Sequence, residues 1–376
     1  MTHQANIELI KTYRKQYRRA ERSKKSAILG FITEATGYSR KHAIALLNNP
    51  VRAKEKVARP RRSRYAHLYK PLRKLWAACN FACGKRLQPF LPHLLRSLKR
   101  FNRIKITKED ETLLLAMSAA TIDRMLAPAR EGLNPKGRAT TKPGTLLKHT
   151  IPVRTFADWD DDRLGFLEVD LVAHCGESVS GEYVNTLDMT DVATGWSVCA
   201  AFMGRSEAYC LEAFREATST LPFSLLGIDS DNDSVFLNAH FTRYCRANQL
   251  TFTRSRPYKK NDQCRVEQKN GAVVRKIVGY GRFDTEGQLD TLRRIYRLLS
   301  HYQNYFQPSA KLISKQRIGS KVKKKYDTPQ TPCQRLFARK DVPKETKKAL
   351  RNVFNELDPV QLLSSIQELV RELYNP

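Results

Sequence analysis

The chain has 376 residues, and 67 Lys and Arg against 37 Asp and Glu give it a net charge of +30. That length exceeds one ordinary small domain, and the charge points first to a polyanionic partner. No apolar stretch is long enough to span a bilayer and residues 1–25 lack the apolar centre of a secretory signal, so the expectation is a cytoplasmic, nucleoid-associated protein with no membrane partner. The charge is uneven: +25 over residues 1–150, −3 over 151–310 and +8 over 311–376. Basic arms flank a near-neutral, acid-containing middle. The eight cysteines have no C-x-x-C spacing and read as free thiols in a reducing compartment.

Residues 6–49 read as a basic helix running into a helix-turn-helix. Ile28, Phe31 and Ile32 form an apolar face, Gly37 makes the turn and Ser39 caps the next helix. On that helix Ala43, Leu46 and Leu47 are expected inward, leaving Arg40, Lys41 and His42 to meet DNA. This defines a helix-turn-helix domain over 1–53. A basic linker follows over 54–69, with Arg61, Arg62 and Arg64 able to lie along phosphates. Residues 70–130 form a second helical domain, with helices around Leu72–Cys83 and Leu91–Phe101. Its last part repeats the helix-turn-helix pattern: Leu113–Met117, a turn at Ser118, then Ile122, Met125 and Leu126 inward. Thr121, Asp123 and Arg124 are expected outward, Thr121 and Arg124 as DNA contacts. Residues 131–157 are a second basic linker.

The middle, 158–310, changes character. Residues 166–172, 183–191 and 195–202 are β-type runs between Gly-bearing turns, an antiparallel meander. A helix at 206–221, a strand at 225–231, a helix at 240–249 and a strand at 251–256 follow. A long helix is expected to open at Glu267 and run to Val278, with another over 289–306. Together these make an α/β fold, a mixed sheet covered by helices. The basic C-terminal region, 311–376, offers a short β-like segment at 317–327 and an amphipathic helix at 358–374.

Three acids stand on three separate elements of that middle. Asp170 is mid-strand, Asp231 ends an apolar run, and Glu267, 36 residues later, stands in a polar loop about to become a helix. An ionised Asp among apolar neighbours is costly unless paired or bound to metal. Carboxylates brought close repel one another unless a cation neutralises them. Mg²⁺ suits such a site, and two ions could activate an attacking oxygen and stabilise a leaving one. Each acid alone has an ordinary structural explanation, and Glu168, Asp188, Asp191, Asp229 and Asp233 are rivals for the same roles.

Asp170 in EVDLV, Asp231 in SDNDSVF and Glu267 in NDQCRVEQKN resemble the acidic triad of DDE transposases and retroviral-type integrases. More narrowly, the chain resembles bacterial insertion-sequence transposases with an integrase-type catalytic core. The 35 residues between Asp231 and Glu267, Asn270 three after the Glu, and LDMTDVATGW at 187–196 share in the likeness. The sequence departs from the family at Asn232-Asp233, where Asn-Gly is usual. Asp233 is thus a rival to Asp231, and the interval favours Asp231.

The resemblance implies an RNase H-like catalytic core, a mixed five-stranded sheet with helices, preceded by all-α DNA-binding domains and followed by a small basic region. It implies catalytic, metal-holding Asp170, Asp231 and Glu267, with Mg²⁺ (Mn²⁺ in its place) at two ions per site. The chemistry is cleavage at transposon 3′ ends and strand transfer into target DNA. Lys259, Lys260, Lys269, Asn270 and Arg275 surround the site as candidate DNA contacts. The implied partners are double-stranded DNA, as transposon ends and target, and further copies of the chain. An RNase H-like structure-specific nuclease and a helix-turn-helix regulator with a silent core are the alternatives.

Overall fold

The computed structural model describes residues 2–49, 64–130, 163–230, 235–236, 238–254 and 270–375. The chain divides into two compact units, Met1–Ser63 and Arg64–Pro376.

In the first unit, helices α1 (His3–Arg19), α2 (Arg22–Thr36) and α3 (Arg40–Asn48) close around a core that includes Ile10, Leu29, Ile32 and Leu47. Gly37 ends α2 at φ 70°, a left-handed conformation that costs glycine little, and its N–H returns to the Thr33 carbonyl. Ser39 then caps α3, accepting from the His42 N–H at 3.4 Å. Turn and cap fall where the sequence places them. One residue differs: Phe31 is 47% exposed, against the Tyr13 ring at 5.4 Å, and Leu29 takes the inward place. Arg14 and Arg18 donate to the Leu46 and Asn48 carbonyls at the end of α3. There a cation offsets the helix's partial negative charge.

The second unit opens with α4 (Tyr69–Ala78), α5 (Gly84–Arg100), α6 (Lys108–Leu115) and α7 (Ala119–Arg130). α4 stops short of the expected Cys83 because Asn80 and Phe81 take left-handed φ of 48° and 59°. α5 begins at Gly84, where a Cβ would lie 2.2 Å from the Ala119 carbonyl. There α7 comes close enough for Asp123 Oδ1 to accept from the Gly84 N–H at 2.7 Å and from Arg130 at 2.6 Å. Asp123, expected outward, instead holds the α5–α7 contact at a helix N-terminus, where a carboxylate is favoured.

The sheet is built from β1 (Phe166–Ala173), β2 (Val184–Asp191) and β3 (Ser197–Met203). After α8 (Glu207–Ser219) come β4 (Gly227–Ser230), α9 (Ala239–Ala247) and β5 (Thr251–Arg254). The strand order is β3-β2-β1-β4-β5, with β1 to β3 antiparallel and β4 and β5 parallel to β1. This is the expected α/β fold with a mixed five-stranded sheet. The expected helix into Val278 is described from Asn270: a π-helical turn, Asn270–Arg275, runs into α10 (Lys276–Val278) and Gly279 ends it. α11 (Glu286–Phe306) starts earlier than expected because Thr285 and Gln288 form a capping box. A hairpin of β6 (Leu312–Ile318) and β7 (Lys321–Tyr326) follows, then α12 (Pro332–Ala338), α13 (Lys344–Glu356) and α14 (Pro359–Tyr374). α12 and α13 were not expected from the sequence.

One hydrophobic core runs through this unit, from Trp76 and Leu94 at the front through Leu187 and Phe214 to Leu292, Phe306 and Ile366. α11 lies against β3 on one side and α14 on the other. Among the described residues no helix is long and apolar enough to cross a membrane. Tyr302 of α11, 1% exposed, donates its hydroxyl to the Ala78 carbonyl at 2.9 Å, joining the front helices to the sheet layer. Tyr302→Phe leaves that carbonyl unpaired and should cost about 1–3 kcal/mol in urea unfolding. An unchanged midpoint would show that the bond contributes nothing.

Candidate active site

Strand partners share a face of the sheet, and so do residues two apart on one strand. Asp188 of β2 stands opposite Asp170, and Asp229 of β4 stands beside Glu168. Four carboxylates on three adjacent strands therefore look to one side. Glu168, Asp188 and Asp229 are fully buried, while Asp170 is partly exposed. Withdrawing charged oxygens from water is costly, and their mutual repulsion adds to the cost. Polar neighbours on this face partner the acids and one another. Asp229 accepts from the Thr253 hydroxyl at 2.6 Å and Asp188 from the Cys199 thiol at 3.6 Å. Thr190 and Ser197 exchange a hydrogen bond at 3.1 Å.

Asp191 separates from this group. Its Oδ1 accepts from the Gly165 N–H at 2.9 Å and its Oδ2 from the Thr194 N–H and hydroxyl at 2.8 and 2.7 Å. It closes the β2–β3 turn and the entry to β1, a structural role. Burial raises its pKa above the usual carboxylate value, and those hydrogen bonds offset only part of the rise.

The segment after Glu267 comes to Asp170. The Asn270 amide donates to Asp170 Oδ2, while Asp170 Oδ1 takes the Leu171 N–H at 2.8 Å. Four further ties hold the segment. Arg275 Nη2 donates to the Ala173 carbonyl at 2.8 Å, and Lys276 Nζ to the Asn80 carbonyl at 2.9 Å. The Tyr374 hydroxyl donates to the Val278 carbonyl at 2.8 Å and accepts from the Gly281 N–H at 3.2 Å. Gly279, at φ 83°, allows this approach, since a Cβ would lie 2.6 Å from the Tyr374 hydroxyl. Arg275, expected to hold phosphate, is half-buried with its guanidinium on backbone carbonyls and 4.9 Å from the Tyr280 ring centre.

The other expected site residues are distributed as follows. Asp231, Asp233, Glu267, Lys259, Lys260, Lys269, Arg61 and Arg62 lie outside the described residues. Arg40, Lys41 and His42 are exposed at the start of α3, with the His42 ring against Tyr38 at 4.9 Å. Arg64 is exposed over the Tyr65 ring at 4.7 Å. Arg124 is exposed and donates to the Ala120 carbonyl at 3.3 Å, while Thr121 is half-buried beside the Ser118 hydroxyl at 3.0 Å. Among the described residues no three His, Cys, Asp or Glu side chains gather as a metal-ligand set. Cys79 is a buried thiol with its pKa pushed up to about 12 by burial.

Sequence reasoning missed the network beside the carboxylates. His174 Nε2 lies 2.8 Å from the Thr186 hydroxyl, which in turn bonds Tyr296 of α11 at 2.5 Å. The alternation of Thr186, Asp188 and Thr190 along β2 was the available signal. His174 is fully buried; burial first, then the Arg275 charge, push its pKa from 6.5 down to about 3. The unfolded chain therefore binds a proton that the folded chain refuses between pH 6.5 and about 3. Stability is full above pH 6.5 and falls as pH drops through that window, by on the order of 4–5 kcal/mol. In His174→Gln, denaturant unfolding against pH should show a flatter acid limb; an identical limb would remove His174 as its source.

No family model matches this chain. Among solved structures it is similar to the HTLV-2 integrase catalytic core domain in complex with magnesium, at 17% identity and a TM-score of 0.29, over 38% of this chain and 88% of that one. It is similar also to the BIV integrase catalytic core domain, at 15% identity and a TM-score of 0.31, over 45% and 91%. A much stronger likeness is to the uncharacterized protein y4rM of Sinorhizobium fredii (strain NBRC 101917 / NGR234). It is 42% identical over 329 residues, which are 87% of this chain and 94% of that protein. The chain belongs to the family of the Sinorhizobium fredii protein y4rM.

Proposed function

We propose that the chain is a metal-dependent DNA transposase of the DDE type, which binds terminal inverted repeats, cleaves at 3′ ends and transfers them to target DNA. The hydrogen bond from Asn270 to Asp170 carries this reading. Asn270 follows Glu267 by three residues in the sequence. Asp231 follows Ser230, which pairs beside Val169, the neighbour of Asp170. The Asn270–Asp170 contact supports reading the three acids of the motif as one site.

Carboxylate oxygens are the donors that a hard divalent cation takes, and Asp170, Asp231 and Glu267 would hold Mg²⁺ or Mn²⁺. Bound there, two ions would supply activation of the attacking oxygen and stabilisation of the leaving one. Asn270 orients the Asp170 carboxylate, and its backbone is held in turn by the ties at Arg275, Lys276 and Tyr374. Arg40, Lys41 and His42 open the exposed face of α3 to a major groove, with Thr121 and Arg124 as the second reader. Arg61, Arg62, Arg64, Lys259, Lys260 and Lys269 hold phosphates. Two DNA ends have to be joined, so the active form is a homo-oligomer on DNA, in the cytoplasm at the nucleoid.

Strand transfer tests this. Labelled duplexes carrying the ends that flank the gene are incubated with supercoiled plasmid and Mg²⁺ or Mn²⁺. Wild type should yield joined product and Glu267→Gln none, with DNA binding retained. Cutting without joining would replace the proposal with a nuclease, and binding without chemistry in either metal would replace it with a regulator. Asn270→Ala should lower joining by about 10–100-fold at unchanged DNA affinity, the usual cost of freeing a ligand from its orienting partner. Full activity in Asn270→Ala would remove it from the site. Arg64→Ala should lower the salt dependence of end binding, as log K against log salt, by about 1; an unchanged slope would take Arg64 off the phosphates.

A further inference from the structure

The β6–β7 hairpin is a two-stranded ribbon with water on both sides. Every residue from Lys315 to Tyr326 is exposed, and that stretch holds six cations and no acid. Strand register divides the cations evenly. Lys315, Arg317 and Lys324 share one face, and Lys321, Lys323 and Lys325 share the other. Lys315 stands directly opposite Lys324, a like-charge pairing that weakens a ribbon. Ile318, Val322 and Tyr326, at 65%, 47% and 51% exposure, also face solvent, and they too are split between the faces.

A two-stranded hairpin is marginal by itself in water, and this one is anchored firmly at its root. Asp327 accepts from Arg335 at 2.5 Å, Arg335 donates also to the Ser309 carbonyl at 2.8 Å, and Lys311 Nζ reaches the Ala193 carbonyl at 2.9 Å. Ser309 and Gln330 close the base as a β-bridge. The tip turns through Gly319 at φ 59°, and Ser320 keeps a negative φ, the pattern of a tight hairpin turn. The arm is thus fixed at its base and presents cations outward along its length.

We propose that this ribbon is a DNA-binding arm, seated in the major groove of duplex DNA. The inference rests on the reading of the chain as a DNA enzyme and adds a contact that the helix-turn-helix segments do not supply. The major groove is wide enough for a two-stranded ribbon, and phosphates wall it on both sides, so cations on both faces find partners. A lipid surface or an acidic protein patch engages one face of a ribbon and leaves three cations idle on the other. The A-form major groove is deep and narrow, which disfavours duplex RNA. The exposed apolar residues suit contact with thymine methyl groups.

The test is equilibrium binding of the full chain to a 30-base-pair DNA duplex of arbitrary sequence across a salt series. Two triple variants are compared with wild type: Lys315→Ala with Arg317→Ala and Lys324→Ala, and Lys321→Ala with Lys323→Ala and Lys325→Ala. Each should lower the slope of log K against log salt by about 2.7, the share of three phosphate contacts. Replacing each triple's lysines with arginine should restore the slope. Unchanged slopes in both triples overturn the proposal and leave the lysines as guards against edge-to-edge strand pairing. A loss from one triple alone overturns the groove in favour of a one-faced ligand. A larger loss on duplex RNA or on anionic vesicles overturns DNA as the occupant. Ribbon-dependent binding without strand transfer defeats the transposase reading and spares the arm, whereas strand transfer with ribbon-independent binding does the reverse.

Discussion

The hydrogen bond from Asn270 to Asp170 is the constraint on which the candidate site depends. Asp170 lies mid-strand in β1, whose opposite face carries Leu167, Val169 and Leu171 into the hydrophobic core. Glu168, Asp188 and Asp229, which share its face, are fully buried. A sheet gains stability by burying apolar area, at roughly 25 cal/mol per Å², and a row of carboxylates forfeits that gain on one side. Such a face survives where partners are supplied from elsewhere in the chain. Here they come from β3, β5, α11 and the turn that begins at Asn270.

That turn is held from places far apart in sequence. Asn80 lies in the left-handed bend between α4 and α5, and Tyr374 is the last residue of α14, yet both bond the stretch from Lys276 to Gly281. The front helices and the C-terminal helix are therefore joined to the site as well as to the shared core. A π-helical turn is a strained way to run a chain, and multiple ties over-determine it. The position of Asn270 follows from this bracing, and with it the approach to Asp170.

Much of this was legible in the sequence, and the failures have physical causes. The meander was readable because period-two alternation and Gly-bearing turns are local signals, and the strands at 166–173, 184–191 and 197–203 appear within two residues of expectation. The turn at Gly37 and the cap at Ser39 are equally local. Asp170 stood out as an acid inside an apolar strand. What surrounds it did not, because Tyr296 and Asn270 approach from more than 95 residues away. Asp191 passed for a candidate ligand although Thr194, three residues on, supplies a local capping partner. Arg275 and Asp123 looked like free charges because the carbonyl and the helix end that occupy them are non-local. α13 was missed although Leu350, Val353, Phe354 and Leu357 recur at helical spacing and pack against the core.

Charge placement completes the physical picture. A net charge of +30 opposes compaction through self-repulsion. The fold spends a few cations internally, Arg14 and Arg18 on the carbonyls ending α3, Arg275 on Ala173 and Arg335 on Asp327. Most of the other described cations are exposed, where salt screens them over about 8–10 Å. The described carboxylates of the sheet face lie in the near-neutral middle of the chain, between segments of +25 and +8. A polyanion bound by the basic segments would relieve their repulsion. The acids would need a cation of their own to receive a phosphate. In a chain that carries both features, binding a polyanion and tolerating it beside carboxylates are separate electrostatic problems, solved by separate parts of the sequence.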